Sequence, residues 1–565
     1  MDQAESPHPN PSPEGEGLLR PLIDEVDYIV VGAGTAGCVV ASRLSEDPWA
    51  KVALLEAGGS DLSLWIQMPI GYGRTFFNPR INWMFDTEPV AALGGRSSYW
   101  PRGKVVGGSG SINAMVHVRG FPHDYNAWRD AGNPGWSWDD VLPWFTRSED
   151  HDLAKSGEDP GWHGSGGPQH VTDITGSVHP LCHTFLETGR TLGHRVTSDF
   201  NGPNGEGFGI YQINTRGGWR ASTANAYYWP VRHRQNLTLI RKARVTRLLF
   251  EGGRAVGVAF RQGGRDRVIR ARREVVLCAG AIGSPTILQH SGIGDAALLQ
   301  RLGIPVVADL PAVGQNLQDH LAVSYFYRAS VPTLNNVLHP FVGKLRAALR
   351  YIADRRGPLS MSVNQAGGFV RAHPSDTYPA FQLYFSPVSY TRTPIAARRL
   401  LNPDPFAAFL LSFNACRPTS RGHLAITSAD PFAAPAIHPN YLGTEIDVAE
   451  ARMGVQLLRT IAQSKPLSDV IVEELVPGPG VADDALFDDF RARADTVYHP
   501  TSTCRMGPDR RTSVVDARLR VHGIAGLRVI DASIFPSITS GNTNAPTVMV
   551  AEKGAAMLAE DRNLR

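Results

Sequence analysis

The stretch Val26-Asp-Tyr-Ile-Val-Val-Gly-Ala-Gly-Thr-Ala-Gly37 decides the fold of this chain. Its first half is a short β-branched run without polar alternation, which is typical of a parallel strand covered on both faces. Of the three glycines that follow, the first permits a tight turn, the second lets the backbone approach a pyrophosphate, and the third lets a helix pack closely. The phosphates would lie on the N-terminus of that helix. We therefore predict cofactor contacts from Gly32, Gly34, Thr35, Ala36 and Gly37.

The residues that follow complete a β–α–β unit. Residues 36–46 have helical spacing, and residues 51–55 form a second apolar strand that ends in Glu56. A carboxylate at the end of this strand is placed to accept hydrogen bonds from a ribose diol. Glu56 and the adjacent Ala57 are therefore predicted to contact the cofactor. The unit predicts a dinucleotide site and leaves FAD and NAD as alternatives.

Composition excludes several classes of protein. Of the 565 residues, 42% are hydrophobic and 19% charged, which is typical of a folded chain. Lys and Arg (56) balance Asp and Glu (53) without a long basic block, so we expect no nucleic-acid partner. The five cysteines are scattered and form no CxxC pair, which favours a cytoplasmic protein without a disulfide framework or a metal site. We expect no secretory signal and no membrane span.

The pattern along the chain predicts an α/β fold with two domains. Residues 1–22 are rich in Pro, Glu, Ser and Gly and are predicted to be a flexible tail, with the fold beginning near Ile23. Residues 23–320 and 496–565 are predicted to form a discontinuous Rossmann-like FAD-binding domain, with a strand over 238–249 and a second strand-to-helix turn after 273–279. Short alternating runs within 321–495 predict an α+β substrate-binding domain with an antiparallel sheet.

A second glycine-rich segment, Pro101-Arg-Gly-Lys-Val-Val-Gly-Gly-Ser-Gly-Ser-Ile-Asn113, and the segment Gly280-Ala-Ile-Gly-Ser-Pro-Thr-Ile-Leu-Gln-His-Ser-Gly-Ile-Gly294 carry a family resemblance. With them, the chain resembles the glucose-methanol-choline (GMC) oxidoreductases. The resemblance also covers 313–320, 416–422, 498–507 and 540–546. It therefore extends over nearly the whole chain beyond residue 25, in the family's order.

The resemblance implies an FAD cofactor, with the segment 107–116 along its isoalloxazine ring. Some relatives attach FAD through a His where this chain has Ile112, so we expect non-covalent binding. His117 stands where relatives more often carry an aromatic residue. The resemblance adds these cofactor contacts: Arg102, Gly107, Ser109, Asn113, Met115, Val116, Val245, Ala279, Gly280, Asp531, Ala532, Asn542 and Thr543.

Alcohol oxidation requires a base beside the flavin, because hydride leaves an alkoxide-like carbon far more readily than a neutral alcohol. In the family pattern the His of a Tyr-His-Pro sequence is this base, which here is His499. Its partner is a His or Asn about 43 to 45 positions later. We predict His499 as general base and Asn544 as hydrogen-bond donor to the substrate oxygen, with Asn542 as the rival. His320 is either a substrate contact or a structural residue.

The predicted reaction is oxidation of a neutral primary alcohol, aliphatic or aryl, to the aldehyde. Relatives that oxidise choline carry an acid two residues after the His of the Asp-His pair, and Ala322 stands there in this chain. A choline-type dehydrogenase remains an alternative, as does a flavin-containing lyase or photodecarboxylase, for which Cys416-Arg417 is a candidate acid site. The electron acceptor is either O2 or a quinone-like molecule. The sequence leaves the exact alcohol and the oligomeric state open.

Overall fold

The computed structural model describes residues 20–155, 161–390 and 402–563, and these residues form two seven-stranded sheets and several two-stranded ones. The first strand begins at Arg20, three residues before the predicted start of the fold. Residues 1–19, which are most of the predicted tail, lie outside the described residues.

The first large sheet contains the predicted β–α–β unit. It is here called the parallel sheet, although strands Arg254–Gln262 and Ala243–Glu251 pair antiparallel at one edge. Strands Arg20–Val31 and Val52–Glu56 pair in parallel, with helix Thr35–Leu44 between them. Successive side chains such as Ile29 and Val30 point to opposite faces of the sheet and are both buried, as is Leu54. Both faces of these strands are therefore covered, as in other parallel sheets. The strand order is Leu237–Arg241, Val52–Glu56, Arg20–Val31, Arg265–Leu277, Arg254–Gln262 and Ala243–Glu251, with Leu527–Val529 pairing in parallel beside the end of Arg265–Leu277.

Helices cover the parallel sheet and begin at its strand ends. Helix Thr35–Leu44 packs against the last helix, Asn544–Asn563, which in turn contacts helix Trp138–Ser148. Helix Gly280–His290 directly follows strand Arg265–Leu277. The N-termini of helices Thr35–Leu44 and Gly280–His290 therefore lie at the carboxyl edge of the sheet, where ligands of open α/β sheets bind. A hydrogen bond from Thr35 to Asn544 places the N-terminus of the last helix beside them.

The second large sheet, here called the antiparallel sheet, confirms the predicted antiparallel region. Its strands, in spatial order, are Ile471–Val476, Leu321–Ala329, Ala408–Ala415, Phe381–Ser386, Ala366–Val370 and Gly207–Ile210, with Asp495–Thr496 pairing at the start of Leu321–Ala329. Phe385, Phe409 and Phe413 are buried in its core. Helices Pro180–Thr191 and Glu445–Gln463 pack against it.

The antiparallel sheet is not one continuous block of sequence, unlike the predicted domain 321–495. Strand Gly207–Ile210 and helix Pro180–Thr191 precede residue 320, yet Phe208 and Phe185 are buried in the core of this sheet. Conversely, the hairpin of His423–Ala425 and Ala436–His438 is a separate two-stranded sheet packed beside Leu317 of the other part. An alternation of apolar and polar residues indicates a half-buried strand but not the sheet that the strand joins. A single boundary at residue 320 therefore does not separate the two large sheets.

The predicted strand over 238–249 is two strands, Leu237–Arg241 and Ala243–Glu251. Lys242 between them has a φ of 55°. It separates Leu237–Arg241, which pairs with Val52–Glu56, from Ala243–Glu251, which pairs with Arg254–Gln262. Because a positive φ at a non-glycine residue is uncommon, the sequence did not indicate this break.

Further helices are Leu64–Gln67, Tyr72–Thr75, Pro122–Asp130, Asp152–Lys155, Trp229–Val231, Ala296–Arg301, Leu334–Leu338, Phe341–Asp354 and Leu486–Arg493.

Candidate active site

A cavity of about 1120 Å³ takes its wall from both large sheets. It exceeds the usual size of a small-molecule pocket, about 300–1,000 Å³, so it has room for more than a single small substrate. Most of the predicted site residues lie on its wall: Gly32, Gly34, Thr35, Ala36, Glu56, Ala57, Arg102, Ser109, Asn113, Met115, Val116, Val245, Ala279, Gly280, Asp531, Ala532, Asn542, Thr543, Asn544 and His499.

Two predicted cofactor residues, Gly37 and Gly107, are not among the residues that line the cavity, and their role is packing. A Cβ on Gly37 would lie 1.8 Å from the Gly32 carbonyl oxygen, so only glycine lets the helix approach the strand here. Gly107 has a φ of 85°, and its N–H donates a 2.6 Å hydrogen bond to the Ala33 carbonyl. The second glycine-rich segment is thus attached to the first glycine turn, which the separate motifs did not reveal.

The cavity is lined by three helix N-termini, which suits a ligand with negative charge. Thr35, Gly280 and Asn544 open their helices and all lie on its wall. Unsatisfied N–H groups and the helix dipole make such ends favourable sites for phosphates. Gly34 leaves space there, because a Cβ would meet no atom closer than 3.8 Å. The glycine turn therefore offers accessible backbone to a pyrophosphate.

Two buried carboxylates are fixed on the wall by main-chain donors. Glu56 accepts hydrogen bonds from the N–H groups of Ala33 (3.0 Å) and Gly58 (2.8 Å). Burial raises the pKa of Glu56 to about 7. Asp531 accepts from the N–H of Gly280 (2.8 Å) and from the hydroxyl of Ser284 (2.6 Å), and burial raises its pKa. Both acids have rigid positions from which remaining lone pairs can receive ligand hydroxyls.

His499 forms a chain of hydrogen bonds that fixes its tautomer. The Nε2 of His320 lies 2.9 Å from the Cys416 carbonyl oxygen, which only accepts, so this nitrogen carries a hydrogen. Burial lowers the pKa of His320 to about 4, so the ring is neutral and its Nδ1 is an acceptor. The Nδ1 of His499, 3.0 Å away, must then donate. The lone pair of His499 is therefore on Nε2.

Asn542, rather than Asn544, is the partner of His499. The Nδ2 of Asn542 lies 3.1 Å from the Nε2 of His499 and donates to its lone pair. The side chain of Asn544 instead accepts a 3.0 Å hydrogen bond from the Thr35 hydroxyl, at the glycine turn. The prediction that Asn544 pairs with the base was wrong. Separations of 43 and 45 residues both fitted the pattern, and only the fold shows which amide reaches the imidazole.

Asp319 positions the segment that carries His499, and the sequence reasoning missed its role. This buried carboxylate accepts hydrogen bonds from the main-chain N–H of His499 (2.7 Å), from the Thr496 hydroxyl (2.5 Å) and from the Tyr441 hydroxyl. Burial raises its pKa to about 6, although the nearby Arg102 opposes the shift. Arg102 in turn donates to the Tyr498 carbonyl at 2.7 Å. The sequence signal for Asp319 was its position directly before His320 in the Asp-His pair.

Arg220 is a second functional candidate that the sequence did not indicate. It is 1% exposed. Its Nη1 donates to the main-chain carbonyl of Asn113 (2.8 Å) and to the side-chain oxygen of the same residue (2.9 Å). Burial lowers its pKa to about 9. A buried cation thus supports the second glycine-rich segment from behind. Arg220 lies in the short strand Trp219–Arg220 and belongs to no recognisable motif, so no sequence signal was available.

His117 does not belong to the cavity wall. It is buried in a polar cluster, where its Nε2 lies 3.1 Å from Glu149 and its Nδ1 lies 3.2 Å from the Asn214 amide. Arg119 pairs with the same carboxylate. The histidine at position 117, where relatives more often carry an aromatic residue, is therefore explained by this polar network and not by a ligand contact.

Replacing each asparagine separately distinguishes the two. We expect Asn542→Ala to lower kcat by about 10- to 100-fold, because a lost hydrogen bond to a charged or reacting group is worth about 1.5–3 kcal/mol. Asn544→Ala is expected to weaken cofactor retention and to leave the turnover of the loaded enzyme within about threefold. The measurements are steady-state kinetics and flavin content. The reverse pattern, with kcat lost in Asn544→Ala and kept in Asn542→Ala, would restore the original assignment.

Comparison with known proteins identifies the family. The GMC oxidoreductase N-terminal model matches residues 26–322, and the C-terminal model matches residues 418–551. The chain belongs to the GMC oxidoreductase family. It is 42% identical over 559 residues to the mitochondrial choline dehydrogenase of Mus musculus, a match that covers 96% of this chain and 91% of that protein. It is 40% identical to an alcohol dehydrogenase [acceptor] of Pseudomonas putida, over 94% of this chain and 95% of the relative.

A solved structure shows the same fold. Pyridoxine 4-oxidase from Mesorbium loti is 32% identical, with a TM-score of 0.83, over 94% of this chain and 98% of that one. Like other members of the family, this GMC oxidoreductase uses FAD and oxidises the CH–OH group of alcohols. Within the described residues, the helices are all too short or too polar to cross a membrane.

Proposed function

We propose that this GMC oxidoreductase oxidises a neutral primary alcohol to its aldehyde, with non-covalently held FAD, His499 as base and Asn542 as the orienting amide. The observation that carries the proposal is the fixed tautomer of His499. Its unprotonated Nε2 lies on the cavity wall beside an amide donor. A neutral imidazole with this lone pair is the form that a general base requires.

The residues of the cavity fit FAD. Helix N-termini and the glycine turn suit the pyrophosphate, and the main-chain-bound Glu56 suits a ribose diol. Ile112, 4% exposed on the wall, offers no nucleophile for a covalent link. When bound, the flavin supplies a hydride acceptor for the alcohol carbon.

The side chains of the protein supply the remaining chemistry. The Nε2 of His499 takes the hydroxyl proton, and the Nδ1–H of the same ring stays bonded to His320. The resulting imidazolium is disfavoured by burial and by the nearby positive charge of Arg102, which lower the pKa of His499 well below its ordinary value. The proton is therefore held only while the substrate is being oxidised. When the substrate enters, its hydroxyl replaces the Asn542 Nδ2–H as the donor to Nε2 of His499. The amide then donates to the substrate oxygen and orients it toward the base.

The wall beyond this pair favours an apolar substrate. Phe326, Val363, Leu410 and Tyr390 line the cavity, together with the uncharged polar residues Ser324, Asn364 and Ser412. An uncharged aliphatic or aryl alcohol loses little solvation on entering such a space, whereas an isolated cation loses much more. We infer that the parallel sheet holds the cofactor and that the antiparallel sheet encloses the substrate.

A choline-type substrate is the second candidate, and one observation favours it. Asp495 lies directly opposite Ala322 in the strand ladder and lines the same cavity. The acid that Ala322 lacks is thus supplied from the neighbouring strand. Asp86 lies near enough to Asp495 to raise its own pKa further, beyond the effect of burial. A second carboxylate and the rings of Trp83 and Phe85 on the wall provide features that quaternary ammonium sites use.

Choline and 3,3-dimethylbutan-1-ol separate the two candidates, because they share a shape and differ in charge. Each is mixed anaerobically with the yellow holoenzyme, beside 1-octanol and benzyl alcohol, and bleaching of the visible flavin band is followed. We expect the neutral alcohols to bleach the flavin faster. Faster bleaching by choline would transfer the proposal to the cationic substrate. No bleaching by any alcohol, with carboxylate loss under blue light, would support the photodecarboxylase. Oxygen uptake after readmission of air distinguishes oxidase from dehydrogenase.

The pH profile tests the role of His320. Because the pKa of His499 is lowered, the base is unprotonated at neutral pH, and kcat/KM is expected to fall only below pH 6.5. His320→Leu removes the acceptor of the His499 Nδ1–H, a hydrogen bond that favours the imidazolium form of His499. We expect its acid limb to move to lower pH and kcat to fall about tenfold or more. His320→Gln, which retains an acceptor oxygen, should recover part of kcat. A limb that moves to higher pH in His320→Leu would contradict the tautomer chain.

A further inference from the structure

Helix Phe341–Asp354 carries an apolar face that points away from the protein. Five of its apolar residues are between 47% and 79% exposed: Phe341, Val342, Leu345, Leu349 and Ile352. At about 100° per residue, all five fall within an arc of about 100° on one side of the helix. The opposite side packs inward through Ala347 and Tyr351, whose hydroxyl donates to the Gly218 carbonyl at 2.9 Å. The helix therefore has two apolar faces, and one lacks protein cover within the described residues.

Basic residues flank the outward apolar face. Exposed Lys344 lies about 60° to one side of the arc, and exposed Arg346 lies about 40° to the other. Residues 341–356 contain five basic side chains and one acidic side chain, Asp354, which lies 3.9 Å from Arg350. An apolar stripe between cationic borders is typical of helices that lie in the interfacial region of a membrane.

A second exposed apolar group is connected to this helix through two short turns. Leu62, Leu64 and Trp65 are 71%, 57% and 41% exposed. Helix Leu64–Gln67, which Leu62 precedes, packs on the turn Pro69–Gly71. That turn packs on the turn Pro358–Ser360, which follows helix Phe341–Asp354. Clusters of exposed large apolar side chains are uncommon on the surface of monomers and mark interaction sites.

We propose that this face, formed by Phe341, Val342, Leu345, Leu349 and Ile352 with the borders Lys344 and Arg346, docks on an anionic phospholipid bilayer. A second copy of the chain fits less well, because a twofold interface would bring the same cationic borders together. Anionic head groups neutralise those borders, while the apolar stripe enters the boundary of the acyl region. Docking requires no spanning helix.

Docking would place the substrate cavity beside the membrane. Tyr72 and Val363 line the cavity and belong to one apolar cluster with Leu334 and Leu338. Those leucines belong to helix Leu334–Leu338, which packs against helix Phe341–Asp354. Helix Leu334–Leu338 and the inward side of helix Phe341–Asp354 therefore lie between the cavity wall and the docking face. Apolar alcohols or a quinone-like acceptor dissolved in the bilayer would be concentrated next to the enzyme. The docking face is independent of which alcohol is oxidised.

Vesicle flotation of the holoenzyme tests the proposal. Vesicles of phosphatidylcholine alone and of phosphatidylcholine with phosphatidylglycerol (3:1) are compared at low and high salt. We expect at least tenfold tighter binding to the anionic vesicles, weakened by salt. Lys344→Gln and Arg346→Gln should each reduce binding about fivefold. Leu349→Glu with Ile352→Glu should reduce it by more than tenfold. Val472→Glu, at a residue 61% exposed elsewhere, is the matched control and should bind like the wild type.

Two results would overturn the proposal. The first is equal binding of the wild type and Leu349→Glu/Ile352→Glu, including no binding by either. The second is a wild-type mass of two chains in light scattering that falls to one in the same double variant, which would assign the face to a second copy. Activity with a water-soluble acceptor should be unchanged in every variant, because none of the altered residues lines the cavity. Failure of the proposed alcohol oxidation would leave vesicle binding unaffected, so the two outcomes are distinguishable.

Discussion

His499→Ala is expected to lower the rate constant of flavin reduction by about 10²–10⁴, because general-base catalysis contributes that factor. The variant should remain yellow, since the contacts of this side chain are with His320 and Asn542 and not with the glycine turn. Anaerobic stopped-flow measurement with a saturating alcohol separates the loss of chemistry from any change in substrate binding. Added imidazole should restore part of the rate, because the deleted ring leaves a space on the cavity wall.

The control for this experiment is His373→Ala, at an exposed histidine that does not line the cavity. It should retain wild-type kinetics. A His499→Ala enzyme that reduces its flavin at the wild-type rate would remove the base from the mechanism. A rate loss without rescue, accompanied by loss of flavin, would show that the residue is structural.

Gly108→Val is expected to abolish stable retention of FAD. Gly108 has a φ of 54°, and a Cβ there would lie 2.7 Å from the Gly34 Cα. The atom that the Cβ would meet belongs to the main chain of Gly34 and cannot rotate away, so the two glycine segments must separate. Left-handed strain of about 1–2 kcal/mol and overpacking of about 1–3 kcal/mol together predict cofactor binding weaker by about a hundredfold. Reconstitution of the apoprotein with FAD, followed by absorbance, measures the loss.

Gly59→Ala is the matched control, because a Cβ on Gly59 would meet no atom within 4 Å and its φ lies outside the left-handed region. It should bind FAD like the wild type. Circular dichroism distinguishes a local effect from unfolding in Gly108→Val. A folded Gly108→Val protein that retains its flavin would show that the two segments need not touch.

Much of the site was predictable, and the misses have specific causes. The glycine turn and Glu56 were predictable because each performs a local task that a short spacing encodes. His499 was found through its Tyr-His-Pro setting. The sequence did not show that Asn542 is the amide beside His499, because two asparagines two residues apart have nearly the same spacing to the histidine. Arg220 was missed because its contacts are with segments more than 100 residues away.

Sequence by itself determined the β–α–β unit, the family, the antiparallel region and the histidine that we propose as base. These features depend on neighbours along the chain, where hydrophobic period and glycine chemistry act directly. Tertiary structure alone decided which sheet receives strand Gly207–Ile210, which asparagine reaches His499, and on which ring nitrogen the lone pair resides. Each of these depends on groups distant in sequence that meet only after folding, such as the Cys416 carbonyl, which sets the tautomer of His499 through His320.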